Sequence, residues 1–63
     1  MFSQNLKNIR ISLGFTQKDL ADKLSVSFKT ISHWESSYTE PRIDMIKKIK
    51  LVLDVSYEEL LDD

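Results

Sequence analysis

The link between two helical stretches, residues 16–24 and 27–35, leaves this chain least freedom. Leu20, Ala21 and Leu24 follow Thr16 at helical spacing, and Ile31 and Trp34 follow Ser27 in the same way. Thr and Ser accept hydrogen bonds from the free N–H groups of a helix start, so each marks a beginning. Asp19, three residues after Thr16, makes a box-like cap with Asp in place of the usual Glu. Only Ser25 and Val26 remain as a break. So short a link forces the two helices to cross sharply, and the small Ala21 allows their close approach.

The rest of the chain reads in the same terms. One glycine and one proline in 63 residues predict few breaks. Ser3 is the expected cap of a first helix running to about Leu13, with Leu6, Ile9 and Leu13 inward and Gly14 after it as a left-handed end. Residues 36–41, SSYTEP, form a polar loop. A fourth helix carries Ile43, Ile46, Ile49 and Leu53 at spacings of three and four and stops at Asp54. Ser56 and Glu59 form a second capping box, for a short fifth helix containing Leu60 and Leu61. No stretch alternates strictly as a half-buried strand would. The expectation is an all-α fold, a compact five-helix bundle forming one domain over residues 1–63. The second and third helices have the geometry of a helix-turn-helix, although short turns are common to small helical bundles.

Composition narrows the function. A domain of this size buries only about 60% of its unfolded surface. There is no cysteine, so no disulfide or cysteine-ligated zinc, and a lone His33 cannot build a metal site. No run approaches the roughly 20 apolar residues of a membrane span, and the N-terminus does not read as a signal peptide. The expected location is cytoplasmic. No glycine-rich phosphate loop and no nucleophile–base pattern is present, so neither an enzyme nor a cofactor is expected. Net charge is −1, but its distribution is uneven. Residues 1–53 carry nine Lys/Arg against five acids; residues 54–63 carry five acids and no base. A polyanion would meet the basic end.

The third helix poses the functional question. Ile31 and Trp34 share one face, which turns Phe28, Lys29, Ser32 and His33 the other way. A solvated face would account for three of these. It accounts poorly for Phe28.

FTQKDLADKLSVSFKTISHWE resembles the helix-turn-helix of the Cro and phage-repressor (Xre) family, through Thr16, Gln17, Leu20, Ala21, Val26, Ser27, Ile31, Ser32, Trp34 and Glu35. NLKNIR is similar to the family's first helix, and EPRIDMIKKIKLVLDVSYEELL to its later part, so nearly the whole chain is covered. The resemblance implies a lambda-repressor-like DNA-binding domain that places its third helix in the major groove of double-stranded DNA. Phe28, Lys29, Ser32 and His33 would then meet base edges: Lys29 donating to guanine, Ser32 and His33 donating or accepting, Phe28 packing on a thymine methyl. Phosphate contacts would come from Thr16, Gln17, Thr30, Ser36, Tyr38 and Arg42. Arg10 and Glu35 match a pair that ties the first and third helices together. The implied protein is a transcription regulator of bacterial or phage type, a repressor acting as a homodimer on its operator. Leu51, Val55 and Tyr57 are the candidate dimer residues. No small-molecule cofactor, metal or membrane is implied.

The chain departs from the family's pattern at four places. Ser25 stands at the usual glycine of the turn, SSYTE replaces a glycine-containing basic loop after Trp34-Glu35, Asp54 replaces another glycine, and Phe28 takes a usually polar position. A rival reading keeps the fold as a protein-binding module that uses Phe28, Tyr38 and the acidic end. The chain itself reads equally as a free-standing regulator or as the head of a longer one.

Overall fold

The computed structural model describes residues 1–62; Asp63, counted above with the acidic end, lies outside the described residues. Five helices follow one another: α1 (Phe2–Ser12), α2 (Gln17–Leu24), α3 (Phe28–Glu35), α4 (Ile43–Leu53) and α5 (Tyr57–Leu61). There is no strand among the described residues.

Three starts are capped as their sequences require. The Thr16 hydroxyl accepts from Asp19 N–H at 3.0 Å, and Asp19 Oδ2 accepts from Thr16 N–H at 2.9 Å. Ser56 and Glu59 repeat that reciprocal box at 3.0 Å in both directions. Ser27 Oγ accepts from Thr30 N–H at 3.1 Å. The Thr16 backbone N–H, and then its hydroxyl, hold the Asp19 carboxyl below its ordinary pKa of 3.8, because both favour the charged form.

The first helix differs from its expected start. Met1 occupies the cap position without a side-chain bond, and Ser3 lies inside α1. The Ser3 hydroxyl is engaged elsewhere, 2.6 Å from that of Ser37 in the loop after α3. Starting the helix two residues earlier brings Phe2 into the core, a residue the sequence pattern had left outside. At the other end α1 stops at Ser12, and Leu13 is 46% exposed rather than inward. Gly14 turns left-handed at φ +78° immediately afterwards, and Phe15, beyond the turn, packs on the core instead. A Cβ on Gly14 would meet nothing within 4 Å. Glycine is therefore needed there for its backbone angle and not for space.

Leu6, Leu20, Leu24, Ile31, Ile49 and Leu60 are fully buried, with Ala21, Trp34, Leu53 and Phe2 completing one core drawn from all five helices. Ile43 does not join the stripe predicted for α4; it is 64% exposed. It is the helix's first residue and overhangs the rim, while Met45 and Ile46 make the contact one turn further in. The ends of the chain are tied together: the Met1 amine donates to Asp62 O at 3.1 Å, and the Asn5 amide donates to Leu60 O at 3.0 Å and also to Asp62 O.

Among the described residues three other than glycine are left-handed: Ser25 (φ 58°), Ser37 (φ 65°) and Asp54 (φ 55°). Each ends a helix or turns the chain just beyond one, where glycine would avoid the clash between Cβ and backbone. Two of them, Ser25 and Asp54, are positions where the resemblance leads one to expect glycine, and Ser37 lies in the loop where it expects a third. Lys48 reaches back from α4 to donate to Leu24 O at 2.8 Å, satisfying a carbonyl that the end of α2 leaves without a helical partner. This bond fixes the turn into α3.

Candidate nucleic-acid interface

Helix α3 is clamped on one side and open on the other. Ile31 is fully buried and Trp34 nearly so, against Leu20, Ala21 and Leu24 of α2. At 100° per residue this leaves Phe28, Lys29, Ser32 and His33 on the outer arc. Phe28 is 55% exposed, Lys29 is exposed, and Ser32 and His33 are half-buried. An exposed phenyl ring beside a lysine at the capped start of a rigid helix offers an apolar contact and a cationic donor side by side.

The loop after α3 folds back on the helix. The His33 carbonyl accepts from the Ser36 hydroxyl (3.2 Å), Tyr38 N–H (2.9 Å) and Thr39 N–H (3.3 Å). These bonds bring the Tyr38 ring to 4.8 Å from the His33 imidazole, tilted by 57°. Tyr38 remains 74% exposed, so its hydroxyl is available beside the outer face of α3.

Two clefts flank that face. One, of about 550 Å³, runs between α3 and α4 and is lined by Val26, Thr30, Trp34, Arg42 and Met45, with Glu40 and Asp44 at its edge. It brings Thr30 and Arg42 together, two of the residues expected at phosphates. The Thr30 hydroxyl already pairs with that of Ser27 at 2.9 Å, and the two carboxylates offset the charge of Arg42. The other cleft, of about 270 Å³, gathers Lys7, Gln17, Ser32, Glu35 and Ser36 from α1, α2, α3 and the loop. Thr16 is exposed at the start of α2, its hydroxyl engaged with Asp19 in the cap.

An ion pair holds the second cleft together. Arg10 Nε and Nη2 donate to the two Glu35 carboxylate oxygens at 2.6 and 3.0 Å, and Arg10 Nη1 donates to Phe15 O at 2.9 Å. The two side chains are 11% and 4% exposed. Glu35 also accepts from the Gln17 amide at 3.0 Å. Gln17 therefore comes to the cleft already oriented, with its remaining amide proton and its oxygen free.

The dimer candidates lie on α4, on α5 and in the turn between them. Leu51 is 75% exposed, Tyr57 is 40% exposed under the Lys50 ammonium at 5.2 Å, and Val55 is half-buried against the core. Val52 and Leu61, at 40% and 43%, are exposed on the same two helices; the sequence pattern did not single them out. Nor did it mark Lys7 or Lys48. Lys7 stands one turn before Arg10, which was a usable signal, whereas Lys48 lies 24 residues from its acceptor and no local pattern announces it. Among the described residues no cluster of His, Cys, Asp or Glu could hold a metal, and no helix is long and apolar enough to cross a membrane.

Comparison with known proteins places this geometry. The Helix-turn-helix family (HTH_3) matches residues 6–60. The chain is 34% identical over 58 residues to the HTH-type transcriptional regulator ImmR of Bacillus subtilis, covering 92% of this chain and 46% of ImmR. It is 37% identical over 60 residues to the HTH-type transcriptional activator BcrR of Enterococcus faecalis, covering 95% of this chain and 29% of BcrR. It is 31% identical over 61 residues to the SPbeta prophage-derived regulator YopO of Bacillus subtilis, covering 97% of this chain and 87% of YopO. The chain spans about half the length, or less, of the first two. No solved structure matches at a significant level. Two helices packed across a short turn with the outer face of the second left open, carried on a match that spans both helices and most of the chain, make this chain a member of the helix-turn-helix family of Cro/C1 (Xre) type.

Proposed function

We propose that the chain is the DNA-binding unit of a sequence-specific transcription regulator, with α3 lying in the major groove of double-stranded DNA. One observation carries the reading: α3 is fixed by Ser27, Ile31 and Trp34 while Phe28, Lys29, Ser32 and His33 stay on its open side. Base edges in the major groove offer matching chemistry. Lys29 donates to guanine O6 or N7, Ser32 and His33 bond either kind of edge group, and Phe28 covers a thymine methyl. Gln17, Thr16 and Ser36 meet phosphates on one side of α3, Thr30 and Arg42 on the other, with Tyr38 at its end. On the α4 side Glu40 and Asp44 stand against Arg42 and Lys48, and the Lys48 ammonium is already held by Leu24 O, so more of the affinity comes from the side of Gln17.

A single reading helix covers few base pairs. The unit works as a pair, two α3 helices one DNA turn apart on a palindromic site, joined through Leu51, Tyr57 and the exposed edge of Val55. Occupying a promoter in this way represses transcription in the cytoplasm of a bacterial cell. The work is binding; no residue is assigned a catalytic role.

Selection of sites from random DNA, followed by gel shifts across a salt series, tests the reading. The expected result is a palindromic site with a thymine opposite Phe28 and an affinity that falls steeply with salt. Absence of any DNA affinity at low salt refutes it, and a salt-insensitive protein partner held through Phe28 and Tyr38 would take its place.

A further inference from the structure

We propose that Lys7, together with Gln17, forms a seat for one DNA phosphate in the cleft between α1, α2 and α3, with Glu35 acting as a positioning residue for Gln17. The proposal rests on the reading of α3 as the groove helix, and it adds a residue of α1 to the interface.

Charge in the cleft is arranged for an anion. Glu35 is the one carboxylate lining it, and three N–H donors already occupy that group: Arg10 Nε at 2.6 Å, Arg10 Nη2 at 3.0 Å and Gln17 Nε2 at 3.0 Å. The carboxylate is 4% exposed, so little of it faces a ligand. Lys7 stands three residues before Arg10 on the same face of α1 and makes no hydrogen bond or ion pair among the described residues. Arg10 and Glu35 cancel, which leaves the Lys7 charge uncompensated at the mouth.

Geometry directs that charge at the DNA. Ser32 lines the cleft and also lies on the outer arc of α3, so a strand flanking the reading helix passes the opening. The Ser3–Ser37 hydroxyl bond, 2.6 Å, pins the far wall by tying the loop to α1. A non-bridging phosphate oxygen at the mouth receives the Lys7 ammonium and the free amide proton of Gln17. Glu35 holds the carboxamide so that this proton faces outward. Such a contact sets register and affinity and carries no base information.

The test compares the salt dependence of DNA affinity, by fluorescence anisotropy, for wild type, Lys7→Gln and Lys47→Gln. Lys47 is exposed on α4, lines neither cleft and serves as a charge-matched control. Losing one phosphate contact lowers the slope of log affinity against log salt by about 0.9. Between 50 and 200 mM salt the affinity of Lys7→Gln should therefore fall about 3.5-fold less than that of wild type. The loss at low salt should be equal for cognate and non-cognate DNA. Lys7→Gln and Lys47→Gln giving the same slope overturns the seat while leaving the groove reading intact. Wild type with no salt-dependent DNA affinity removes both. Lys7 is exposed, so thermal melting should show both variants folded as wild type is. For the positioning role, Glu35→Gln and the double variant Arg10→Met/Glu35→Leu, which orphans no charge, are compared with wild type at a temperature where circular dichroism shows each folded. Both should lower affinity equally for cognate and non-cognate DNA, and unchanged affinity in the folded double variant refutes it.

Discussion

Consider breaking the Arg10–Glu35 pair from either side and then replacing both partners. The fork is almost out of water, with side chains 11% and 4% exposed. Removing one member of such a pair leaves a buried charge alone, at a cost of about 3–5 kcal/mol. The structure ranks the two single changes. In Glu35→Leu, Arg10 keeps its bond to Phe15 O at 2.9 Å and the more exposed position, so the cost lies near about 3 kcal/mol. In Arg10→Met, Glu35 keeps only the neutral amide of Gln17, and the cost lies nearer about 4 kcal/mol. The double variant orphans no charge and keeps most of the volume, so it should lose no more than about 1–2 kcal/mol. With those figures the coupling between the two sites is about 5–6 kcal/mol. A domain of 63 residues has on the order of 5 kcal/mol to lose, so urea unfolding followed by circular dichroism resolves all four corners. Single variants that each lose less than about 1 kcal/mol, or that add within about 0.5 kcal/mol, would refute the view that the pair is maintained by mutual neutralisation.

Three further outcomes follow from particular residues. Ser25→Gly relieves a left-handed serine and should stabilise the fold by up to about 1 kcal/mol, seen as a higher urea midpoint with an unchanged slope; no rise means the turn is unstrained. Asp19 has a folded pKa below 3.8, so its contribution is complete above that value and is lost as pH falls through the folded pKa. Asp19→Asn should therefore flatten the acid limb of the stability–pH curve below about pH 4, and an unaltered limb removes the cap from the explanation. Lys29→Ala should cost about 1–3 kcal/mol of DNA binding and relax preference at a single base pair, whereas a uniform loss across sequences would make Lys29 a phosphate contact.

Short-range chemistry was legible before any coordinates. Caps at Thr16, Ser27 and Ser56 involve residues three apart; the boxes at Thr16 and Ser56 formed reciprocally and Ser27 accepted its single bond from Thr30 N–H. The inner stripes of α2 and α3 were legible for the same reason, since two short helices with one crossing leave each apolar residue a single partner surface. Failures cluster at helix ends. Ser3, read as a cap, lies inside a helix that starts two residues earlier, and Leu13 and Ile43 obey the helical period but sit where a helix stops early or overhangs its neighbours. Periodicity gives the direction of a side chain and says nothing about whether a neighbour is there to meet it.

The sequence by itself determined an all-α chain with a crossed helix pair, an apolar set for its core, and a third helix whose outer face is Phe28, Lys29, Ser32 and His33. These depend on spacing, caps and turn length, which are local. Only the tertiary structure decided that Lys48 closes the end of α2, that Ser3 ties down the loop at Ser37, and that Lys7 shares a cleft with Gln17 beside a neutralised Glu35. Those contacts join residues 10 to 34 positions apart in the chain. Which charges remain free to meet a polyanion depends on what each ion already faces, and that is a property of the packed molecule.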